Sequence, residues 1–326
     1  MRIWYDACTG KQIRYGTAIG QRLRKSGHEF VFTTREHPDT IPLAKILGEN
    51  PIVVGKYNPS TLYSRLEESA EREKNFSKLF ANNPPDVAIA HQSVELCRTA
   101  FGLGIPLVLT ADTPHATAVN KLTIPLASTL IMSEAIPKSF MQKYCAKNII
   151  QFKGVDELAW IKDFKPSKIP AIKRPLILIR QIESKAAYAQ GKQDSAQMLM
   201  DGISSLGNVQ FIQRYNIEGK AFEHKDDFLD SANLIANADL VISYGGTIAR
   251  EAALQGVPSI AISDMAKSYV NRYVTNKGFP LFITTELGVL RYAKKYIGKR
   301  FDVQIKLSEL ENPVDIIEKT VEGLKP

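Results

Sequence analysis

Leu240-Val241-Ile242-Ser243-Tyr244-Gly245-Gly246-Thr247-Ile248-Ala249-Arg250-Glu251 reads as a short apolar strand, a glycine turn and the start of a helix. The run Leu240–Ile242 is apolar on both faces, as a strand buried within a parallel sheet is. Gly245 and Gly246 let the backbone turn sharply and let an anion approach with no Cβ in the way. Thr247 is the expected N-cap, and the first N–H groups of the helix would point at that anion. Glu251 lies one turn further on, where it can accept from the two hydroxyls of a ribose. Spacing alone leaves two readings open: a phosphate-binding helix start, or a tight connection in which Glu251 faces the helix dipole.

Outward from this stretch the same strand–helix alternation runs in both directions. Strands are expected at Leu176–Arg180, Val209–Gln213, Leu240–Ser243 and Ser259–Ile262, with helices at Ser195–Ser205, Asp227–Ala236 and Thr247–Gln255. Upstream, strands are expected at Ile3–Asp6, His28–Thr34, Ile52–Val54, Val87–Ala90, Leu107–Thr110, Thr129–Met132 and Ile149–Phe152. Helices lie between them, the clearest being the charged Leu62–Leu79. Residues 153–174 break the pattern with Lys165-Pro166, Ile169-Pro170 and Lys173-Arg174-Pro175, a polar, proline-punctuated connection. The division is therefore residues 1–152, a linker at 153–174 and residues 175–326. It implies two facing Rossmann-like α/β domains with parallel sheets and a ligand cleft at the carboxyl ends of the strands. The final helix, Val314–Leu324, fits either domain.

The totals suit that picture. The chain has 326 residues, enough for two domains of roughly 150 residues each. Hydrophobic residues at 44% and charged residues at 23% are those of a globular protein, and no stretch has the length of a membrane span. The start, Met1-Arg2-Ile3-Trp4-Tyr5-Asp6, reads as a strand and has no apolar signal core, so a cytoplasmic protein is expected. Cys8, Cys97 and Cys145 are scattered, which argues against a disulfide framework or structural zinc. The five histidines form no His-x-x-x-His pair, so no metal ligand set and no resident cofactor are expected. The net charge of +8 fits nucleotide diphosphates, anionic lipid surfaces or nucleic acid, and equally an ordinary basic surface.

The run Ser243–Ile260, SYGGTIAREAALQGVPSI, resembles the signature of the domain-of-unknown-function 354 family. Arg180-Gln181-Ile182-Glu183 with Tyr188 resembles that family's arginine-bearing strand end, and Lys153–Trp160 its linker entrance. Asp112-Thr113-Pro114-His115, Gly27-His28-Glu29 and Thr34-Arg35 also fit, in order along the whole chain. The resemblance implies a largely prokaryotic, strongly archaeal group predicted to be GT-B type glycosyltransferases, distantly similar to the lipid-linked N-acetylglucosamine transferase of peptidoglycan synthesis and to non-hydrolysing nucleotide-sugar 2-epimerases. It implies a diphosphate on Ser243, Gly245, Gly246 and Thr247, with Glu251 on the ribose. Many members carry Pro-x-His soon after the first strand; this chain has Cys8-Thr9-Gly10-Lys11-Gln12 instead, so no histidine role transfers to that loop. Gly10-Lys11 also lacks the partners of a P-loop.

Sugar transfer needs a base for the acceptor hydroxyl and cations or donors for the departing diphosphate. The candidate bases are His115, Asp112 and Asp6, in that order, because the first two follow the strand Leu107–Thr110 and Asp6 ends the first strand. Each also has a structural reading as a loop or turn residue. Arg180 and Arg35, ending strands, are candidate phosphate clamps or surface ion-pair partners. His91 is a further candidate cleft residue, and Arg250 reads as a solvated or interface residue. The basic run Arg291–Arg300 is either a solvated helix face or a contact with an anionic membrane surface, which would suit a lipid-linked acceptor. The expected function is metal-independent transfer from a nucleotide-diphosphate sugar to an acceptor. The alternatives are a nucleotide-sugar 2-epimerase, or a non-catalytic anion or nucleic-acid binder, the last without any supporting motif.

Overall fold

The protein's structure, a computed structural model, describes residues 1–169, 173–180, 202–212, 230–262 and 268–324. The chain forms two compact units, Met1–Trp160 with Glu311–Pro326, and Ile161–Leu310. The division after Trp160 falls inside the stretch read as a linker, and a short helix, Leu158–Ile161, crosses it. The last helix, Pro313–Glu322, belongs with the first unit and not with the residues before it in sequence. Its Val314, Ile317 and Val321 enter the first core, and Arg22 meets Asp315 at 2.5 Å and Glu318 at 3.0 Å.

The first unit carries seven strands: β1 (Arg2–Ala7), β2 (Glu29–Glu36), β3 (Ile52–Lys56), β4 (Val87–Ala90), β5 (Leu107–Thr110), β6 (Thr129–Ser133) and β7 (Ile149–Phe152). They lie in the order β3-β2-β1-β4-β5-β6-β7 and pair in parallel. The chain builds outward from β1 to β3, then returns to lay β4 on the other side of β1. The crevice between β1 and β4 is thus the topological switch point, where α/β sheets bind ligands.

Side-chain alternation along β1 fixes what lies above and below it. Ile3, Tyr5 and Ala7 enter the core shared with the helix α1 (Gly10–Lys25). That helix begins where Thr9 accepts the N–H of Gln12, and it sits close to the sheet because Gly16 and Gly20 face it. A Cβ at Gly16 would stand 2.8 Å from the Phe32 ring, and one at Gly20 2.6 Å from that of Phe30. After β2 comes a short helix, α2 (Ile41–Ile46). Trp4 and Asp6 point to the other face, under α3 (Leu62–Leu79). There the Trp4 ring lies 4.8 Å from Phe76 and 4.6 Å from Phe80. Burying each such side chain contributes about 1.5–3 kcal/mol before entropy is counted.

The second unit holds β8 (Leu176–Arg180), β9 (Asn208–Ile212), β10 (Leu240–Ser243), β11 (Ser259–Ile262) and β12 (Leu281–Thr284). Their order is β12-β11-β10-β8-β9, again parallel throughout, so its switch point lies between β8 and β10. The edge strand β12, Leu281-Phe282-Ile283-Thr284, extends the sheet beyond the four strands expected from sequence. The helix expected at Ser195–Ser205 and residues Gln181–Tyr188 lie largely outside the described residues. Two Rossmann-like parallel-sheet domains in one chain fit the expected GT-B fold. Among the described residues no helix is long and apolar enough to cross a membrane.

Candidate functional site

Four strands of the first unit deliver polar side chains to one place beside the switch point. Lys11 is the second residue of α1, His91 follows β4 directly, Asp112 lies two residues past β5, and Asp156 and Glu157 follow β7. Lys11 Nζ donates to Asp112 Oδ2 at 2.5 Å and to Asp156 Oδ2 at 2.9 Å, with Glu157 Oε1 at 3.9 Å. His91 Nδ1 lies 2.8 Å from Thr110 Oγ1, and that hydroxyl reaches the Ala90 carbonyl at 3.4 Å. With the Thr110 hydroxyl donating to Ala90, Nδ1 is the donor to Thr110. His91 Nε2 then faces Asp112 Oδ1 at 3.7 Å and Asp156 Oδ2 at 3.9 Å. A proton can be held there between an imidazole and two carboxylates.

The loop after β1 is tied to this cluster. Gln12 Nε2 donates to the His91 carbonyl at 2.6 Å while its Oε1 accepts the Cys8 N–H at 2.5 Å. Gln92 turns the chain away from His91 at φ 56°, a strained value for a residue with a side chain, and donates to Asn120 Oδ1 at 2.5 Å. Asp112 and Lys11 keep 15% of their side chains exposed, whereas Asp156 keeps 2% and Glu157 none. Asp112 is therefore the acid of the cluster that a substrate can reach. Tyr15, its ring 5.5 Å from His91, is fully buried. Burial, then the charges of Asp156, Tyr5, Glu157 and Asp112, hold its phenol well above the usual tyrosine range.

The three candidate bases read from sequence separate here. Asp112 is in the cluster. His115 is exposed in the turn that follows, where its backbone carbonyl accepts the Thr117 N–H at 2.8 Å. Asp6 is fully buried on the α3 face, and its oxygens are taken by Arg72 at 2.8 Å, Thr33 at 2.8 Å and Ser93 at 2.5 Å. This geometry makes Asp6 the partner of a buried arginine and removes it from the acid–base candidates. Lys11, Asp156 and Glu157 do not stand out in the sequence as site residues. The available signal was position alone, each lying within a few residues of a parallel strand's carboxyl end.

His91, Asp112 and Asp156 also offer ligand atoms within 4.8 Å of one another, the geometry of a cation site. They come from different strands, so no sequence spacing announces them. The Lys11 ammonium already sits between the two carboxylates.

In the second unit Arg180 and Ser243 are register partners at the ends of β8 and β10, beside that sheet's switch point. Tyr244 N–H donates to the Arg180 carbonyl at 3.3 Å. Ser243 Oγ accepts the Gly245 N–H at 3.1 Å, which closes the turn. The helix spans Gly246–Leu254 and its N-cap is Gly245, so Thr247 lies inside the first turn and is not the cap. Among the described residues a Cβ at Gly245 would meet only Ser243 Oγ, at 3.9 Å, whereas one at Gly246 would strike Arg250 and stand 3.0 Å from Asn271 Oδ1. Arg250 is buried and donates to Asn271 Oδ1 at 2.7 Å; it is not a solvated residue. Glu251 is buried at 2% exposure, one turn below the helix start.

The basic run Arg291–Arg300 includes a helix, Val289–Tyr296, whose tyrosines turn inward. Phe282 of β12 stacks on Tyr296 at 4.0 Å and on Tyr292 at 5.4 Å, leaving lysines outermost. The tyrosines are packing residues.

The sequence profile of the family described as "Protein of unknown function (DUF354)" matches residues 1–325. An uncharacterized protein of Methanocaldococcus jannaschii is 28% identical over 333 residues, covering 97% of this chain and 96% of its own. Among solved structures, the UDP-GlcNAc 2-epimerase of the same organism superposes with a TM-score of 0.69 at 15% identity, covering 99% of each chain. The spinosyn rhamnosyltransferase SpnG, solved with thymidine diphosphate, gives 0.61 at 13% identity, covering 99% of this chain and 100% of its own.

Proposed function

This chain belongs to the DUF354 family, and we propose that it transfers a sugar from a nucleotide-diphosphate sugar to an acceptor hydroxyl. The observation that carries the reading is the cluster of Lys11, His91, Asp112 and Asp156 at the first switch point, an acid–base centre at a place where such sheets bind ligands. The second unit supplies the donor half. Gly246 and Thr247 offer the N–H groups of a helix start to the diphosphate, Gly245 lets it approach without a side chain in the way, Ser243 shapes the turn and Arg180 lies alongside it. Glu251, one turn down the same helix, is the candidate for the ribose.

Asp112 takes the proton of the acceptor hydroxyl, the acceptor oxygen attacks the anomeric carbon, and the bond from that carbon to the diphosphate breaks. The helix N–H groups and Arg180 stabilise the charge that develops on the diphosphate. Lys11 and His91 hold Asp112 in place and set the local charge. A panel of uridine, thymidine and guanosine diphosphate sugars, each offered to the purified protein, tests the reading. Saturable binding and release of the nucleoside diphosphate in the presence of acceptor are expected; no binding by any of them would refute it.

The same cluster gives specific ground for a second reading. It joins two carboxylates and a histidine around one lysine, more proton-transfer groups than a single deprotonation requires, and 2-epimerisation needs several. The M. jannaschii epimerase of this fold was solved with UDP-GlcNAc and UDP. Incubating a bound donor in deuterated water without acceptor separates the two readings. Deuterium appearing at the sugar C2 with formation of the epimer indicates epimerisation, and a donor left unchanged removes that reading.

A further inference from the structure

Arg35 stands at the C-terminal edge of the first sheet, and the acid–base cluster does not use it. The pairing of Thr34 with Ala7 sets Arg35 level with Cys8, where the loop into α1 begins. Its guanidinium lies over the Tyr57 ring, 4.3 Å from the centroid. That ring is fixed in turn: Tyr57 N–H donates to the Glu36 carbonyl at 3.0 Å, and the His37 ring packs against the Tyr57 ring with centroids 4.9 Å apart. Thr40 Oγ1 donates to the Arg35 carbonyl at 3.0 Å, which pins the backbone.

Arg2, Arg22, Arg24, Arg72 and Arg174 each meet a carboxylate. Arg35 makes no ion pair among the described residues, and its buried Nε has no hydrogen-bond acceptor there. A guanidinium left without a carboxylate carries an uncompensated charge, which a bound oxyanion would neutralise. A planar guanidinium held flat on an aromatic ring presents its donors in the fork that oxyanions accept bidentately. The neighbouring start of α1 adds to the attraction, because its 16 residues open at Gly10 with no acid in the first turn. The field of Arg35 is felt at that loop: burial and Asp6 push the Cys8 thiol up to about 12, while Arg72 and Arg35 act in the opposite direction.

We propose that Arg35, on its Tyr57 platform beside the start of α1, binds a phosphate group of the molecule handled by the first unit. On the proposed function this makes the acceptor a phosphorylated one, so this inference rests on that reading for the identity of the ligand. Its anion chemistry can be tested separately.

Inorganic pyrophosphate titrated calorimetrically into the full-length protein probes both phosphate subsites at once. Two classes of site are expected. Arg35→Ala should abolish one of them or weaken it at least tenfold, and Arg35→Lys should retain part of it. Tyr57→Leu, which changes no charge, should weaken the same class several-fold. Arg180→Ala should remove the other class only, and Arg24→Ala, which breaks a surface ion pair, should change neither. If Arg35→Ala and Tyr57→Leu both titrate like wild type, or Arg24→Ala loses as much as Arg35→Ala, the Arg35 site is overturned while the donor reading stands. If Arg180→Ala titrates like wild type while Arg35→Ala loses a class, the donor reading fails and the Arg35 site survives.

Discussion

Asp6 and Asp112 stand at or just beyond the ends of β1 and β5, two strands of one sheet with β4 between them, and packing gives them different work. Asp6 shares the β1 face of Trp4, lies beneath α3, and has its oxygens filled by Arg72, Thr33 and Ser93. Asp112 lies past the end of β5, keeps part of its surface, and shares Lys11 with Asp156. Two acids that chain order ranks together are separated by whether their surroundings are closed or open. The closed one neutralises a buried arginine, which is a matter of stability. The open one can meet a substrate.

That contrast sets the expected effects of substitution. Asp6→Ala leaves the Arg72 charge buried with much of its compensation gone and should cost about 3–5 kcal/mol, read from urea unfolding. Asp112→Asn should stay within about 1 kcal/mol of wild type in the same experiment. In turnover the order reverses: Asp112→Asn should lose roughly a hundredfold or more. Equal destabilisation by the two variants would remove the distinction. The second unit repeats it on a smaller scale at Gly246, where a Cβ runs into Arg250 and Asn271. Gly246→Ala should therefore cost about 1–3 kcal/mol in stability by overpacking, and a wild-type melting curve would show that the helix start can shift.

The thiols report the smallest effects. Cys145 is exposed, whereas Cys8 and Cys97 are buried. At neutral pH a thiol reagent should modify Cys145 in the native protein and reach the other two only after unfolding. Burial and Asp6 raise Cys8 from 9.0 to about 12, so the folded state holds this proton more tightly than the unfolded chain. Its contribution is complete below about pH 9 and is lost as pH rises towards 12. A Cys8→Ser variant should accordingly show a flatter loss of stability across that alkaline window.

Much of the fold is legible in the sequence because strands buried in parallel sheets leave continuous apolar runs. Val87–Ala90, Leu107–Thr110, Ile149–Phe152, Leu176–Arg180 and Leu240–Ser243 are read with the bounds the structure gives them. The half-buried edge strand β12 carries a weaker pattern and passes unnoticed. Of α1 only Thr17–Lys25 reads as a helix from sequence, since Gly10-Lys11-Gln12 looks like loop until Thr9 is seen to cap it. The placement of the last helix was not legible, because nothing local in Val314, Ile317 and Val321 tells which core they enter. At the site, Asp112 and the glycine turn could be found as strand-end residues. The closure of Asp6 by Arg72, and the meeting of Lys11 with Asp156 across 145 positions, depend on the sheet order, which no short motif encodes. Alternation could have warned about Asp6, since it shares the Trp4 face.

The central claim is that the second switch point holds a nucleotide diphosphate, and Gly245→Asp addresses it directly. Among the described residues a Cβ at Gly245 meets Ser243 Oγ at ordinary van der Waals distance, and aspartate is a favourable N-cap, so the fold should be kept. The new carboxylate would occupy the place proposed for phosphate and repel it. Calorimetric titration of wild type and Gly245→Asp with the nucleotide-sugar panel should show saturable binding of at least one donor, weakened tenfold or more in the variant. Equal affinity in the two proteins, or no binding to wild type at all, would contradict the account.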